Sequence, residues 1–197
     1  MKKVPVFLIL ILIITQFAVL ALMIHSKERI LRNGQTFRFK TRPIDPADPF
    51  QGRYVRLMFE DDYIPLSKGQ VADLKYKDPV YTKVETNEEG FARFSGWCRD
   101  RPSSGSFLKT RYLGPCNVWN PTTRKSSNQG LRIDIPFNRY YMDEAKAPRA
   151  EQAVRDATRS TNCWVNVRIL EGQAVVEDVF AKGQSLRDLS AKKDKTK

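Results

Sequence analysis

The first feature of this chain is a long apolar run near its start. The 21 residues from Val4 to Ile24 carry no charge and are nearly all Leu, Ile, Val, Phe, Ala or Met. A helix of about 20 such residues crosses the hydrocarbon core of a bilayer. Lys2 and Lys3 precede the run, so the positive-inside tendency keeps that end in the cytoplasm and sends the rest across.

The alternative for this run is a cleaved secretory signal, with Val19-Leu20-Ala21 as its processing site. The run is longer than the roughly 7 to 15 apolar residues of a signal core, which favours an uncleaved anchor. In either case the remaining chain lies outside the cytoplasm, and an uncleaved anchor makes the protein a single-pass membrane protein.

The residues after the apolar run suffice for one domain with its own core. The final residues have little apolar content to bury, which predicts disorder. The sequence therefore divides into a transmembrane signal-anchor (1–24), a juxtamembrane linker (25–35), a β-rich extracytoplasmic domain (36–186) and a disordered basic tail (187–197).

The formal net charge of +12 favours an anionic partner, such as lipid head groups, a cell-wall polymer or an acidic protein face. Nucleic acid is not expected on the far side of a membrane. The alternative is a soluble surface without a cognate polyanion. The first surface for an anionic partner is a concentration of basic residues: Arg99, Arg101, Lys109, Arg111, Arg124 and Lys125.

The three cysteines are too few and too widely spaced for a zinc framework of paired Cys-x-x-Cys motifs. In an oxidising compartment we expect one disulfide, and Cys98 with Cys116 is the first choice because both flank an apparent hairpin. His25, the only histidine, lies at the membrane edge. This excludes catalytic triads that need a histidine and multi-histidine metal sites, and we predict neither a metal nor a cofactor.

Apolar and polar residues alternate in about eight short runs, a pattern typical of half-buried strands. Clusters of Gly, Pro, Asn or Ser separate most of the runs, which predicts a mainly antiparallel β domain of sheets or a barrel. One short helix is predicted where apolar residues recur at i, i+3, i+4 and i+7: Ala150, Ala153, Val154 and Ala157. The alternating runs include TFRFK, YVRLMFE, VYTKVET, FARFSGW, FLKTRYL, LRIDIPF, WVNVRIL and QAVVEDVF.

The segment TRPIDPADPFQGRYVRL concentrates turn-forming residues directly before an alternating run. Its prolines fix φ and push the preceding residues towards extended conformations. Its aspartates can accept hydrogen bonds from nearby backbone donors, and Gly52 can supply a positive φ. The segment therefore predicts a braced start to a strand at Tyr54.

The same segment resembles the signature of the bacterial GDYXXLXY family, a Gly-Asp-Tyr followed by spaced Leu and Tyr. Arg53 stands where the family has Asp, and Phe59 stands for the final Tyr. The three-residue spacing of Tyr54 and Leu57 predicts that they lie on opposite faces of the strand. The matching residues are Arg42, Pro43, Asp45, Pro46, Asp48, Gly52, Tyr54 and Leu57.

Two further blocks are similar to the family. SFLKTRY resembles a Phe-Leu pair followed by a basic residue, and FNRYYMDEAKAPRAE resembles a block with a basic residue, two aromatics and two glutamates. In the latter, Pro136 replaces a glycine, Phe137 fills an isoleucine position and Asn138 replaces a glutamate. The matching residues are Arg139, Tyr140, Tyr141, Glu144 and Glu151, and the resemblance runs from about Ile30 to Ser185.

The resemblance implies a protein with no assigned activity that is anchored in a bacterial inner membrane, with its main domain in the periplasm. It also implies a multi-spanning membrane protein as a partner, in addition to the lipid bilayer. Arg53 and Asn138 each remove a carboxylate from the family pattern, which disfavours acid–base catalysis at those positions. We therefore expect a non-enzymatic accessory or interaction subunit of a membrane complex. Two alternatives stay open: an envelope hydrolase using Glu144 or Asp45 and Asp48, and a binder of anionic lipid or cell-wall polymer.

Overall fold

The computed structural model describes residues 6–41, 54–66, 73–120, 125–141 and 163–191. The apolar run forms helix α1, Val6–Asn33. Its segment Phe7–Asn33 is long and apolar enough to cross a membrane, with a mean hydropathy of 2.9 in its most apolar part. The large apolar side chains from Phe7 to Ile24 are 43 to 69% exposed, so they pack against no other part of the described chain.

The helix does not stop at the end of the apolar run. It continues to Asn33, through most of the segment 25–35 that the sequence assigned to a linker. Gly34 ends it, donating its N–H to the carbonyl oxygen of Ile30 at 2.8 Å. Helical hydrogen bonding therefore continues through the segment predicted as a linker as far as Gly34.

Within the described residues, eleven strands follow α1 and form three antiparallel sheets. The four-stranded sheet has the order β1-β9-β10-β11, the five-stranded sheet β3-β7-β6-β4-β5, and β2 pairs with β8. The strands are β1 (Gln35–Lys40), β2 (Tyr54–Arg56), β3 (Tyr63–Pro65), β4 (Pro79–Thr86), β5 (Ala92–Cys98), β6 (Phe107–Asn120), β7 (Lys125–Asp134), β8 (Arg139–Tyr141), β9 (Cys163–Leu170), β10 (Gln173–Ala181) and β11 (Gln184–Ser185).

Helix α1 contacts strands β9 and β10 of the four-stranded sheet. Strand β1 follows the helix after Gly34 and pairs with β9 from Gln35↔Ile169 to Lys40↔Trp164. Alternate residues of β9 are buried, from Cys163 to Ile169, as the period of two in WVNVRIL predicts. A register shift in β10 between Val176 and Asp178 marks a bulge.

The core lies between this sheet and the five-stranded one. Phe39 of β1, 1% exposed, is at its centre. Its ring centroid lies 5.9 Å from that of Phe59, 5.7 Å from that of Phe94 and 5.1 Å from that of Phe137. Tilted and edge-on aromatic pairs at such distances add stabilisation beyond their buried area. Residues from both sheets thus form one core, and the prediction of a mainly β domain after an N-terminal helix is confirmed.

The C-terminal segment also differs from its prediction. Residues Leu186–Ala191 form a short helix, α2, so the tail predicted to be disordered is ordered at least to residue 191. Leu186 is completely buried and belongs to the hydrophobic core, so it attaches the start of the helix to that core. The helix predicted around Ala150 to Ala157 lies outside the described residues.

The predicted Cys98–Cys116 disulfide is not formed, because neither of these two cysteines is in a disulfide bond. The two strands do not make a hairpin, because β4 lies between β5 and β6. Tyr81 pairs with Cys98 on one side and with Lys109 on the other, and Cys116 lies seven residues farther along β6. At about 3.3 Å per residue the two cysteines are roughly 20 Å apart, far beyond the reach of a disulfide.

Candidate functional site

The first and third motif blocks meet in the two-stranded sheet. Tyr54 pairs with Tyr141, and Arg56 with Arg139. The N–H of Leu57, a residue only 2% exposed, donates to the carbonyl oxygen of Asn138 at 2.8 Å. Backbone pairing therefore joins two segments that are about 80 residues apart in the sequence.

Several predicted site residues lie outside the described parts of the chain. They belong to the proline-rich lead-in and to the acidic end of the third block. They are Arg42, Pro43, Asp45, Pro46, Asp48, Gly52, Glu144 and Glu151.

Tyr140 connects the motif sheet to the C-terminal end of the chain. It is 6% exposed, and its hydroxyl donates to Asp178 Oδ1 at 3.4 Å and accepts from Arg187 Nε at 3.2 Å. Burial, as the largest cause, raises the pKa of the Tyr140 phenol. The phenol therefore stays protonated at neutral pH and holds its two partners rather than acting as a base.

The polar contacts continue from Asp178 across the sheet. Its carboxylate accepts from the Ser185 hydroxyl at 2.6 Å and from the Val179 N–H at 2.8 Å. The Arg187 guanidinium also donates to the carbonyl oxygen of Glu177 at 2.7 Å. These groups satisfy one another, which is typical of a structural network. We call Tyr140, Asp178, Ser185 and Arg187 the tyrosine network.

A second ion pair ties β9 and β10 to the end of α1. The Arg168 guanidinium makes two hydrogen bonds to the Glu177 carboxylate, at 2.8 and 3.0 Å. Its remaining nitrogen donates to the carbonyl oxygen of Gly34 at 3.2 Å. A bidentate pair of this kind fixes the orientation of both side chains, so Gly34 is held against the sheet.

The basic region predicted between residues 99 and 125 divides into separate places. Lys109 and Arg111 are exposed on β6 and line an open groove of about 470 Å³ with Pro79, Thr110, Asp134 and Pro136. Next to Pro79, the loop 73–78 holds Tyr76 outward with 67% of its surface exposed.

The remaining basic residues lie elsewhere. Arg99 donates to the carbonyl oxygen of Asp73. Arg101 approaches Glu171, with 3.7 Å between the guanidinium nitrogen and the carboxylate oxygen. Arg124 and the side chain of Lys125 are outside the described structure.

Glu171 lies in a cluster that the sequence reading did not predict. It occupies the β9–β10 turn with Gly172, at φ values of 52° and 81°. Its carboxylate accepts from Arg29 of α1 at 3.0 Å. The signal was the pair Glu-Gly between two alternating runs, which is typical of a hairpin turn, but nothing in the sequence links it to α1.

Within the parts of the chain that the structure describes, no group of three or more His, Cys, Asp or Glu residues could hold a metal ion. The titratable groups of the tyrosine network are engaged with one another. The described residues of the candidate site thus form a hydrogen-bonded network and, separately, exposed charged surfaces.

A sequence model of the GDYXXLXY protein family matches residues 16–179, most of the chain. The chain belongs to the GDYXXLXY family. The match begins inside α1 and extends to Val179 in β10, so it includes both halves of the motif sheet. Arg187 and α2 lie beyond it, although they contact Tyr140 of the third family block.

No curated protein and no solved structure matches the chain significantly. The GDYXXLXY match therefore shows the family without assigning a molecular role.

Proposed function

We propose that this GDYXXLXY protein is a single-pass membrane protein whose β domain acts as an accessory or interaction subunit of a membrane complex on the extracytoplasmic side of a bacterial inner membrane. The observation that carries the proposal is α1. Its large apolar side chains from Phe7 to Ile24 are exposed, and a bilayer is the surrounding that would remove them from water.

The side of the membrane follows from charge. Lys2 and Lys3 precede the apolar run, and lysines at the end of a span favour the cytoplasmic side. The β domain then lies on the opposite side, where it can contact the external loops of a multi-spanning partner.

Anchoring is tested by extraction at alkaline pH, which removes peripheral proteins but leaves spanning ones in the membrane. We expect the intact chain, of unprocessed mass, in the membrane fraction. Leu12→Arg places a charge near the middle of the span, at a cost of about 2.5 to 3.5 kcal/mol, and should release much of the protein. Leu12→Val is the matched control. Complete extraction of the original protein, or its recovery cut near Ala21, would refute the anchor.

The role as a subunit is tested by crosslinking in native membranes at native expression, followed by identification of the crosslinked proteins. We expect one multi-spanning membrane protein to be recovered reproducibly. A chain that diffuses as a lone monomer and yields no specific partner would contradict the proposal.

The groove beside Lys109 and Arg111 supports a second candidate function, the binding of an anionic cell-wall polymer. Two cations flank an open surface there, and the exposed ring of Tyr76 lies on the neighbouring loop. Exposed charges are screened by salt, so polymer retention should fall steeply with ionic strength. Polymer retention that does not change with ionic strength, or that persists in the double variant Lys109→Gln/Arg111→Gln, would reject this candidate.

A further inference from the structure

The helical rise per residue gives the position of the C-terminal end of α1 relative to the bilayer. The predominantly apolar part of α1, Val6 to Ile24, has 19 residues and measures about 28 Å, close to the thickness of the hydrocarbon core. Arg29 lies five residues beyond Ile24 on the same continuous helix, or about 7.5 Å farther out. The head-group layer is about 5 to 8 Å thick on each side, so Arg29 is level with the lipid head groups.

The contacts of Arg29 bring part of the β domain to the same level. Arg29 is paired with Glu171 at 3.0 Å, and Arg101 approaches the same carboxylate at 3.7 Å. Behind them, Ile30 is 3% exposed. The helix therefore enters the domain within one turn of Arg29, and no stalk separates the domain from the membrane.

Three contacts fix the loop 101–106 and the beginning of β6 to this end of the domain. The Ser106 hydroxyl bonds to Gln35 Oε1 at 2.6 Å. The N–H of Lys109 donates to the carbonyl oxygen of Gly172 at 2.9 Å. The Arg101 guanidinium stands 5.9 Å from the centroid of the Phe107 ring. The loop, the β9–β10 turn and the end of α1 thus form one surface.

The charge of this surface is positive. Glu171 faces two guanidiniums, and Glu28 pairs with Arg32 at 3.3 Å. Lys27 is a further exposed cation one turn before Leu31. All members of these three ion pairs are more than half exposed, so their mutual attraction adds little to stability and their cations can also face solvent or lipid. We call Lys27, Arg29, Arg32 and Arg101 the collar.

We propose that the collar lies on the bilayer surface and binds the head groups of anionic lipids, which fixes the β domain with its β9–β10 turn and the loop 101–106 against the membrane. The inference rests on the proposed membrane anchoring and adds a ligand class and an orientation to it. Each basic side chain close to an anionic bilayer contributes attraction that falls off within a Debye length. The arrangement favours lipid over an acidic protein because the helix itself sets the height of the collar at the head groups.

The orientation is tested with the full chain in vesicles, using a genetically encoded photo-crosslinking residue at Ser104. Ser104 is exposed in the loop 101–106. The control position is Glu88, exposed in the β4–β5 turn, beside Glu89, which pairs with Lys40 at the far end of β1. The vesicles contain phosphatidylcholine alone or phosphatidylcholine mixed with phosphatidylglycerol, and lipid adducts are counted by mass spectrometry.

We expect lipid adducts at Ser104 and few at Glu88, with phosphatidylglycerol preferred over phosphatidylcholine. Equal adducts at both positions, adducts with a second copy of the chain instead of lipid, or none at Ser104 while the protein floats with the vesicles would overturn the inference. Failure to float would instead refute the anchor, so the two proposals fail differently.

The charge is tested with Arg101→Gln in the same assay. Its matched control is Lys182→Gln, an exposed residue in the β10–β11 turn at the other end of the sheet. One basic residue near an anionic surface is worth about 1 kcal/mol, or about fivefold. We expect Arg101→Gln to lower the preference for phosphatidylglycerol by that factor and Lys182→Gln to leave it unchanged. Equal effects of the two variants would contradict the assignment of the collar.

Discussion

At the residue scale, some positions leave no space for a side chain. At Gly172 an added Cβ would lie 2.9 Å from a ring carbon of Phe107, and the φ of this glycine is +81°. Gly90 has nearly the same φ, +82°, but nothing within 4 Å of an added Cβ. The two glycines separate the cost of backbone conformation from the cost of a steric clash.

We therefore predict that Gly172→Ala destabilises the domain more than Gly90→Ala. Both variants force a side chain into the left-handed region, at about 1 to 2 kcal/mol. Only Gly172→Ala must also displace the buried ring of Phe107, which adds about 1 to 3 kcal/mol. Urea unfolding of the two variants measures the difference. Equal losses would show that Phe107 is not packed on the turn as described.

Tyr140 gives a prediction about the tyrosine network. Tyr140→Phe removes the hydroxyl between Asp178 and Arg187 while keeping the ring, and should cost about 0.5 to 1.5 kcal/mol. The loss should appear as faster amide hydrogen exchange in α2, because Arg187 loses one partner. Tyr76→Phe, at the exposed tyrosine, is the control and should change neither quantity. If α2 exchanges at its original rate in Tyr140→Phe, the network does not hold that helix.

Asp61 gives a prediction about pH. Burial is the largest cause of its raised pKa, followed by the charge of Glu60, against opposing effects of Arg93 and Lys40. A carboxyl whose pKa is higher in the folded state destabilises the fold when ionised, and this penalty disappears as the pH falls through the folded pKa. Asp61→Asn should therefore raise the melting temperature at neutral pH, with a gain that shrinks in acid. A gain independent of pH would indicate another cause.

Among the secondary-structure elements, α1 is the one whose extent matters most. It reaches the β domain without a break and places Ile30 in a buried position, while the neighbouring Leu31 is 37% exposed. Removing a buried aliphatic side chain costs more than removing an exposed one. Substituting each of these two adjacent residues therefore separates two contributions to stability: packing of the helix against the domain, and intrinsic helix propensity.

We predict that Ile30→Ala loosens α1 from the four-stranded sheet, at a cost of about 2 to 4 kcal/mol. Leu31→Ala, the matched control, should cost less than about 1 kcal/mol because its side chain stays partly in water. Hydrogen exchange along β9, together with thermal unfolding in detergent, measures both. Similar effects of the two variants would mean that Ile30 does not fix the helix.

The predictability of the elements depended on what buries them. The period of two in β1, β4 and β9 predicted the strands because each has one buried and one accessible face. The extension of α1 beyond Ile24 and the helix α2 were not predicted, since both segments are short and mostly polar, and no apolar period runs through them. Their burial depends on tertiary contacts that have no period.

The candidate site was predicted in the same uneven way. The resemblance identified Tyr140 and Leu57. Tyr140 lies in strand β8 of the motif sheet, and Leu57 directly follows strand β2. The partners of Tyr140 come from β10 and α2, and the partner of Arg29 comes from a turn 142 residues away. Sequence spacing carries no information about such contacts.

At the scale of the whole molecule, sheet order keeps the cysteines apart. Burial raises the pKa of the Cys98 and Cys116 thiols, which lowers the fraction of reactive thiolate. Cys163 is 1% exposed. The sheet order and the raised pKa values therefore both disfavour a disulfide between Cys98 and Cys116.

We predict that the purified protein has no disulfide between Cys98 and Cys116. Denaturation with an alkylating reagent and no reductant should label both of these cysteines, as measured by mass spectrometry of their peptides. The melting temperature should be the same with and without reductant. A peptide linking Cys98 to Cys116 would contradict the strand order of the five-stranded sheet.

The junction between α1 and β1 is a single residue, Gly34, held between the carbonyl oxygen of Ile30 and the guanidinium of Arg168. A spanning helix changes its tilt when the thickness of the bilayer changes. Because Gly34 is held by both contacts, the junction is not a free hinge. With α1 anchored in the bilayer as proposed, the β domain tilts together with the helix. Lipid composition would thereby determine which side of the domain a neighbouring protein meets.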